Sequence, residues 1–325
     1  MKVRSRPSIP NGWSSCPRGM RTCGTRITPS SSPWLDPRSA CVAGRVQTGT
    51  MTATSTNLPS DLPISLDGID TAGVGLVVTG TQRRLDLRLN RPDVRNAQTP
   101  SLWRVLADIG ARIRGTDPAV AAIVLTGEGP SFSAGMDRRM FTPDGVPGEP
   151  SFLELASKGD AALGEFIQSA QAGFSWFREV DPVSIAVVQG HAVGAGFQLA
   201  LACDVIIAHP DAVFAMKETS WGLVPDLGGT LPMVRGAGYG PALEACATGR
   251  DISADELHSW GLALAPREDP QAAADDLIDK ITNTPPGAVT ALKHLLGSID
   301  GLPEQYRRER EAQRDRLRAM ARLMA

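Results

Sequence analysis

Gly190-His191-Ala192-Val193-Gly194-Ala195-Gly196-Phe197-Gln198 joins two apolar segments of different kinds. Before it, Ser184–Val188 is a continuous apolar run of strand length. After it, Gly194–Cys203 reads as a short apolar helix, and Val205–Ala208 as a further strand. Small residues at 192, 194, 195 and 196 let another backbone, or a ligand, come close to the helix start. The first N–H groups of a helix have no partner within it and carry partial positive charge, which suits a developing oxyanion. A close helix–strand contact without any ligand would need the same small residues, so both readings stand at this point.

The same alternation extends outward. Upstream, Val74–Val78 is a short apolar run, followed by an expected turn at Thr79-Gly80-Thr81-Gln82. Leu85, Leu87 and Leu89 alternate with Asp86 and Arg88, the period of a half-buried strand. Thr99 before Pro100 predicts a helix start, and Leu102, Val105, Leu106, Ile109 and Ile113 form its apolar stripe. Val120–Leu125 predicts a buried strand, and 151–180 a long helical region. Downstream come a short strand at Phe214–Met216, small helices at Leu231–Val234 and Leu243–Thr248, and a helix start at Ser253 with Glu256 three residues on. Further helices are expected at about 271–282, 286–297 and 303–324, the last with a charged, solvated face. Strands alternating with helices, then helices alone, predict an α/β fold with parallel strands and a helical C-terminal section.

Composition narrows the function. With 42 % hydrophobic and 21 % charged residues, the 325-residue chain has the balance of a globular protein able to bury a large core. A net charge of -2 and 5 % aromatics argue against nucleic acid and anionic membrane surfaces as partners. No apolar run is long enough for a transmembrane helix. Five cysteines without regular spacing make neither a disulfide framework nor a zinc site, and His191, His209, His258 and His294 do not cluster with them. The body therefore reads as reduced and intracellular, with a cytoplasmic location expected. Residues 1–60 stand apart. The first 50 are rich in Arg, Ser, Pro and Gly with Asp36 as their one acid. They are expected to be a disordered extension. An organellar transit peptide, or a true start at Met51, would fit the same composition.

Two further segments carry chemistry. Ser131-Phe132-Ser133-Ala134-Gly135-Met136-Asp137 follows the Val120–Leu125 strand, and its Ala134-Gly135 pair can aim a backbone N–H at a ligand or form an ordinary tight turn. Glu218-Thr219-Ser220-Trp221-Gly222-Leu223-Val224-Pro225-Asp226-Leu227-Gly228-Gly229-Thr230 sets two carboxylates in an apolar, Gly-rich stretch. A carboxylate in an apolar cleft has its pKa raised and can shuttle a proton. Asp226 could equally cap the next helix, and Glu218 could be a surface residue.

In this order, and with Leu89-Asn90-Arg91-Pro92-Asp93-Val94-Arg95-Asn96-Ala97 as an opening signature, the three segments resemble the crotonase (enoyl-CoA hydratase/isomerase) superfamily over about residues 74–298. The resemblance implies a spiral of ββα units with a helical C-terminal section. It divides the chain into the extension (1–60), an acyl-CoA-binding core (61–265) and a helical oligomerisation section (266–325), and implies a homotrimer or homohexamer. It implies two main-chain donors for a thioester oxygen, at Met136 and Ala195, with Ala134, Gly135, Gly194 and Gly196 shaping the grip. Of the two glutamates in the family's hydratases, one matches Glu218 and the other falls on Gln198, which cannot exchange a proton at neutral pH. Glu218 and Asp226 have the eight-residue spacing of a Glu/Asp pair in the family's dienoyl-CoA isomerases. The resemblance therefore favours double-bond isomerisation, with Glu218 as acid/base and Asp226 as a second proton-transfer group or polariser. Alternatives are hydration of a 2-enoyl-CoA, non-catalytic acyl-CoA binding, and thioester hydrolysis. Arg95 and Lys293 are expected near the CoA phosphates and adenosine, with a surface cation as the other reading of each. Trp221 is expected at the acyl pocket or in the core. CoA would enter as part of the substrate, with no separate cofactor and no metal.

Overall fold

The computed structural model describes residues 62–297, apart from 82, 116–119, 143, 152–153 and 156–157. These residues belong to one unit, Asn57–Ala325. The expected extension over 1–60 and the charged helix at 303–324 lie outside the described residues.

Strands β1 (Leu76–Thr81), β2 (Arg84–Leu89), β3 (Ala122–Gly127), β4 (Val183–Val188) and β6 (Val205–Ala208) form a sheet in the order β1-β2-β3-β4-β6. The β1–β2 pair is antiparallel, and every other pair in that sheet is parallel. A second sheet pairs β5 (His191–Val193) parallel to β7 (Val213–Ala215), and β7 antiparallel to β8 (Ile252–Ser253). The expected turn at 79–82 begins later than the sequence suggests. The backbone oxygen of Arg84 lies so close to Gly80 that an added Cβ would sit 2.3 Å from it, so the glycine permits a tight hairpin rather than ending the strand.

Burial on both faces explains the unbroken apolar runs of β3 and β4. Ile123, Leu125, Ala186 and Val188 point into the main core. Ala122, Val124, Ile185 and Val187 point the other way, onto Ala274 and Ile278 of a C-terminal helix. The main core is closed by α1 (Pro100–Arg114) and α2 (Asp160–Ser175), with α3 (Ala195–Ala202) between the sheets' connections. As the sequence predicts, the Thr99 side chain accepts from Leu102 N, and Leu102, Val105, Leu106, Ile109 and Ile113 are buried. After β7 come α4 (Thr230–Ala237), α5 (Tyr239–Thr248), α6 (Ala254–Ser259), α7 (Pro270–Thr282) and α8 (Ala288–Gly297). The Ser253 side chain caps α6 by accepting from Glu256 N. Among the described residues no helix is long and apolar enough to cross a membrane.

Candidate active site

Parallel pairing carries the three segments to one place. Ser133 pairs in parallel with Ala192, and β5 in parallel with β7 through Val193 and Ala215. Gln98 pairs in parallel with Met136. Just beyond the ends of these neighbouring runs the chain reaches Met136, Ala195 and Glu218. Outside the carboxyl ends of parallel strands is where open α/β sheets bind ligands.

Glycines hold the runs together. Gly135 has a φ of 84°, and an added Cβ would meet Val193 O at 2.4 Å and Ala195 N at 3.4 Å. One on Gly196 would meet Ser133 O at 2.5 Å. Among the described residues neither the Met136 nor the Ala195 amide donates to a loop or cap carbonyl. Ala195 is the first residue of α3, where an intrahelical acceptor does not exist. Two such amides, on runs that pack against each other through Gly135 and Gly196, can stabilise negative charge on an oxygen placed between them.

Behind these two amides lies a buried polar network that the sequence does not reveal. Gln98 Nε2 donates to Ser133 Oγ, Ser133 Oγ donates to Asn96 O, and Gly135 N donates to Ser133 Oγ. Trp103 Nε1 donates to Gln98 Oε1. Asn96 Nδ2 donates to the carbonyls of Glu128, Ser131 and Phe132 from a left-handed backbone, φ 54°. Polar residues at turns ordinarily face water, so pattern alone does not single these out. Their one signal is position, between two strongly apolar strands. Asp137, next to Met136, is held down to about 2 by the guanidinium of Arg139, against the opposing effect of burial, with help from Arg91.

Glu218 opens a one-turn 3-10 helix, Glu218–Trp221, three residues after β7. Its carboxylate lies against Gly194, where an added Cβ would be 3.3 Å from Oε1. Oε1 accepts from Gln198 Nε2 at 2.8 Å, and Oε2 is buried with no hydrogen-bond partner among the described residues. Burial raises the Glu218 pKa, opposed by hydrogen bonds from its own amide and from Gln198, while the charge of Asp226 raises it further. Asp226 is itself raised by burial, and its carbonyl accepts from Gln171 Nε2 of α2. It does not cap the next helix; that place is taken by Gly229, without a side-chain cap. Both carboxylates are thus shifted upward by burial, and the charge of Asp226 reaches Glu218.

The remaining expected residues divide. Trp221, 53 % exposed, stacks on Phe141 with ring centroids 5.3 Å apart, joining the segment after Met136 to the segment after Glu218. Arg95 is exposed with its backbone beside the Ser131–Asp137 segment, its carbonyl accepting from Ala134 N. Lys293 is not brought to this place. Its ammonium points inward, donating to Phe177 O and Pro182 O and pairing with Asp204 at 2.7 Å. All three donors of the ammonium are thereby used in tying α8 to the segment before β4 and to Asp204 before β6. Among the described residues no group of three or more His, Cys, Asp or Glu could hold a metal ion.

Fold and site together define a protein of the crotonase class. The chain matches the family model described as enoyl-CoA hydratase/isomerase over residues 85–317, and it belongs to that family. It is 33 % identical over 228 residues to the carnitinyl-CoA dehydratase of Salmonella typhi, covering 69 % of this chain and 81 % of the relative. The carnitinyl-CoA dehydratase of Proteus mirabilis is 32 % identical over 214 residues, 65 % of this chain and 76 % of the relative. A crystal structure from Thermobifida fusca YX, provisionally assigned as an enoyl-CoA hydratase and holding acetoacetyl-CoA, is 44 % identical. It superposes with a TM-score of 0.71 over 77 % of this chain and 97 % of that one.

If Glu218 takes a proton during turnover, it must be ionised, and kcat/KM falls as pH drops through its pKa. The Asp226 charge raises that pKa, so Asp226→Asn is expected to move the acid limb of kcat/KM to lower pH. A pH–rate profile checks this, and an unmoved or upward-moving limb would separate the two carboxylates.

Proposed function

We propose that this protein is an acyl-CoA enzyme that shifts the double bond of an enoyl-CoA thioester. The thioester oxygen lies between the amides of Met136 and Ala195. Glu218 breaks a C2–H bond of a 3-enoyl thioester, and the electron pair passes into a dienolate held on that oxygen. The proton returns at C4, leaving a double bond between C2 and C3. Atoms and charge balance without any co-reactant. The observation that carries this reading is the buried Oε2 of Glu218, without a partner among the described residues, beside a Gln198 whose amide is already bonded to protein. One proton-exchanging side chain is enough to move a proton, whereas the paired glutamates of a water-adding site are reduced here to one. The acetoacetyl-CoA held by the Thermobifida fusca relative supports a CoA thioester as the substrate class.

A second reading, addition or removal of water at the C2–C3 bond, draws support from the relatives' names as dehydratase and hydratase. The test is incubation with a 3-enoyl-CoA, following conjugated-enoyl absorbance and product mass together. Conjugation at unchanged mass is expected. Conjugation followed by the mass of one added water would replace isomerisation with hydration, and binding without either change would favour a non-catalytic acyl-CoA carrier.

A further inference from the structure

Gln198 is 1 % exposed and lies on α3, between the grip residue Ala195 and the body of the helix. Its Oε1 accepts from two backbone amides, Leu227 N at 2.9 Å and Gly229 N at 3.3 Å. Its Nε2 donates to Glu218 Oε1. These partners fix which way the amide faces. Turned over, the NH2 group would confront two N–H donors, and the carbonyl oxygen would confront a carboxylate. Gly229 presses on the same side chain: an added Cβ there would lie 2.8 Å from Gln198 Cγ. Side chain and loop are therefore fitted to each other, and the loop is the one that carries Asp226.

We propose that Gln198 is a positioning residue that occupies Glu218 Oε1 and thereby confines proton exchange to Oε2. An oxygen that already accepts a hydrogen bond from a locked amide is the poorer site for a proton, because protonating it would set two donors against each other. Oε2 has no such partner among the described residues. It takes the proton from the substrate in one half of the reaction and gives the same proton back in the other. The same amide donor favours the ionised carboxylate, opposing the effect of burial. Gln198 thus keeps a buried glutamate usable as a base while Asp226 pulls the other way. This deepens the isomerase reading and rests on it for the fate of the proton, but not for the ionisation of Glu218.

The test separates the two. Infrared difference spectra of the protein, titrated with acid, report the Glu218 carboxyl band, identified by its loss in Glu218→Gln. In Gln198→Met, similar in length but unable to donate, the band is expected to protonate at higher pH than in wild type. In acyl-CoA turnover kcat should fall by about tenfold to a hundredfold, as for a misplaced catalytic group. Gln198→Glu keeps an acceptor for Leu227 N and Gly229 N, and serves even if the methionine variant fails to fold. Its new carboxylate meets Glu218 Oε1, so the pair should hold one shared proton at a pH where wild-type Glu218 is ionised. For turnover in D2O, wild type is expected to carry substrate hydrogen from C2 to C4, and Gln198→Glu to wash it out through the added proton site. A Glu218 band unmoved in a folded Gln198→Met, or two independent carboxyl titrations in Gln198→Glu, would overturn the proposal. Band shifts as expected in a protein that never isomerises an enoyl-CoA would leave Gln198's role standing and remove only the isomerase reading.

Discussion

Glu218→Gln is expected to lower kcat by about 100- to 10,000-fold, the usual range for a general acid–base, while KM for the acyl-CoA and the melting temperature stay near wild type. The substitution suits the site because it keeps the shape of the side chain and its bond to Gln198 while removing the group that exchanges a proton. The oxygen of the new amide can take the place of Oε1 and go on accepting from Gln198 Nε2. Its NH2 group then stands where the unpartnered Oε2 stood. A neutral amide is also cheaper to bury than a carboxylate, so no loss of stability is expected from desolvation. Glu218→Ala would be a poorer probe, because it leaves Gln198 Nε2 a buried donor without its acceptor. Steady-state kinetics on a turned-over enoyl-CoA, with a thermal melt alongside, decides the matter. Activity within a few-fold of wild type would mean that Asp226 or a bound water does the proton work instead.

Local chemistry explains which parts of this arrangement can be read from the chain. Helix α1 is legible because its signals lie in adjacent residues: Thr99 as cap, Pro100 as first residue and a stripe of apolar side chains. The alternation of Leu85, Leu87 and Leu89 likewise needs nothing beyond its own six residues. Strands β5 and β8 are three and two residues long, too short to show a period, and form only because β7 lies between them. The three chemical segments were legible as segments, since small residues and carboxylates mark them. Their junctions were not. That Gly135 and Gly196 each fit against the backbone of the other run is a property of two pieces of chain some 60 positions apart. Lys293 shows the same limit from the other side. On a helix with no fully buried residue it reads as a cation able to reach the adenosine end of CoA, but Asp204 and two carbonyls from other parts of the fold draw it inward. Gln198 was legible as a departure from two glutamates, but not as a donor to the remaining one.

Gly196→Ala should reduce kcat/KM by at least about 100-fold and lower the melting temperature, although alanine is the better helix former by about 1 kcal/mol. The position is the second residue of α3, and its backbone is unexceptional. Steric contact is therefore the whole effect. The added methyl would lie 2.5 Å from Ser133 O and 2.8 Å from Ser133 Cβ, distances that real side chains do not tolerate. Ser133 cannot step aside cheaply. Its N–H donates to His191 O, its carbonyl accepts from Val193 N, and its hydroxyl joins Gln98, Asn96 and Gly135. Either the helix start or the whole 131–136 run must move, and both motions change the separation of the Met136 and Ala195 amides. Loss of one oxyanion donor costs about 2.7–4 kcal/mol of barrier, which sets the expected size. Gly164→Ala is the control, at an exposed position of α2 with nothing within 4 Å of the added carbon. There the same substitution should leave kcat/KM alone and raise stability by about 0.4–1 kcal/mol. Near-normal activity in Gly196→Ala would mean that the two runs can part without harm, and that the paired amides do not hold the reacting oxygen.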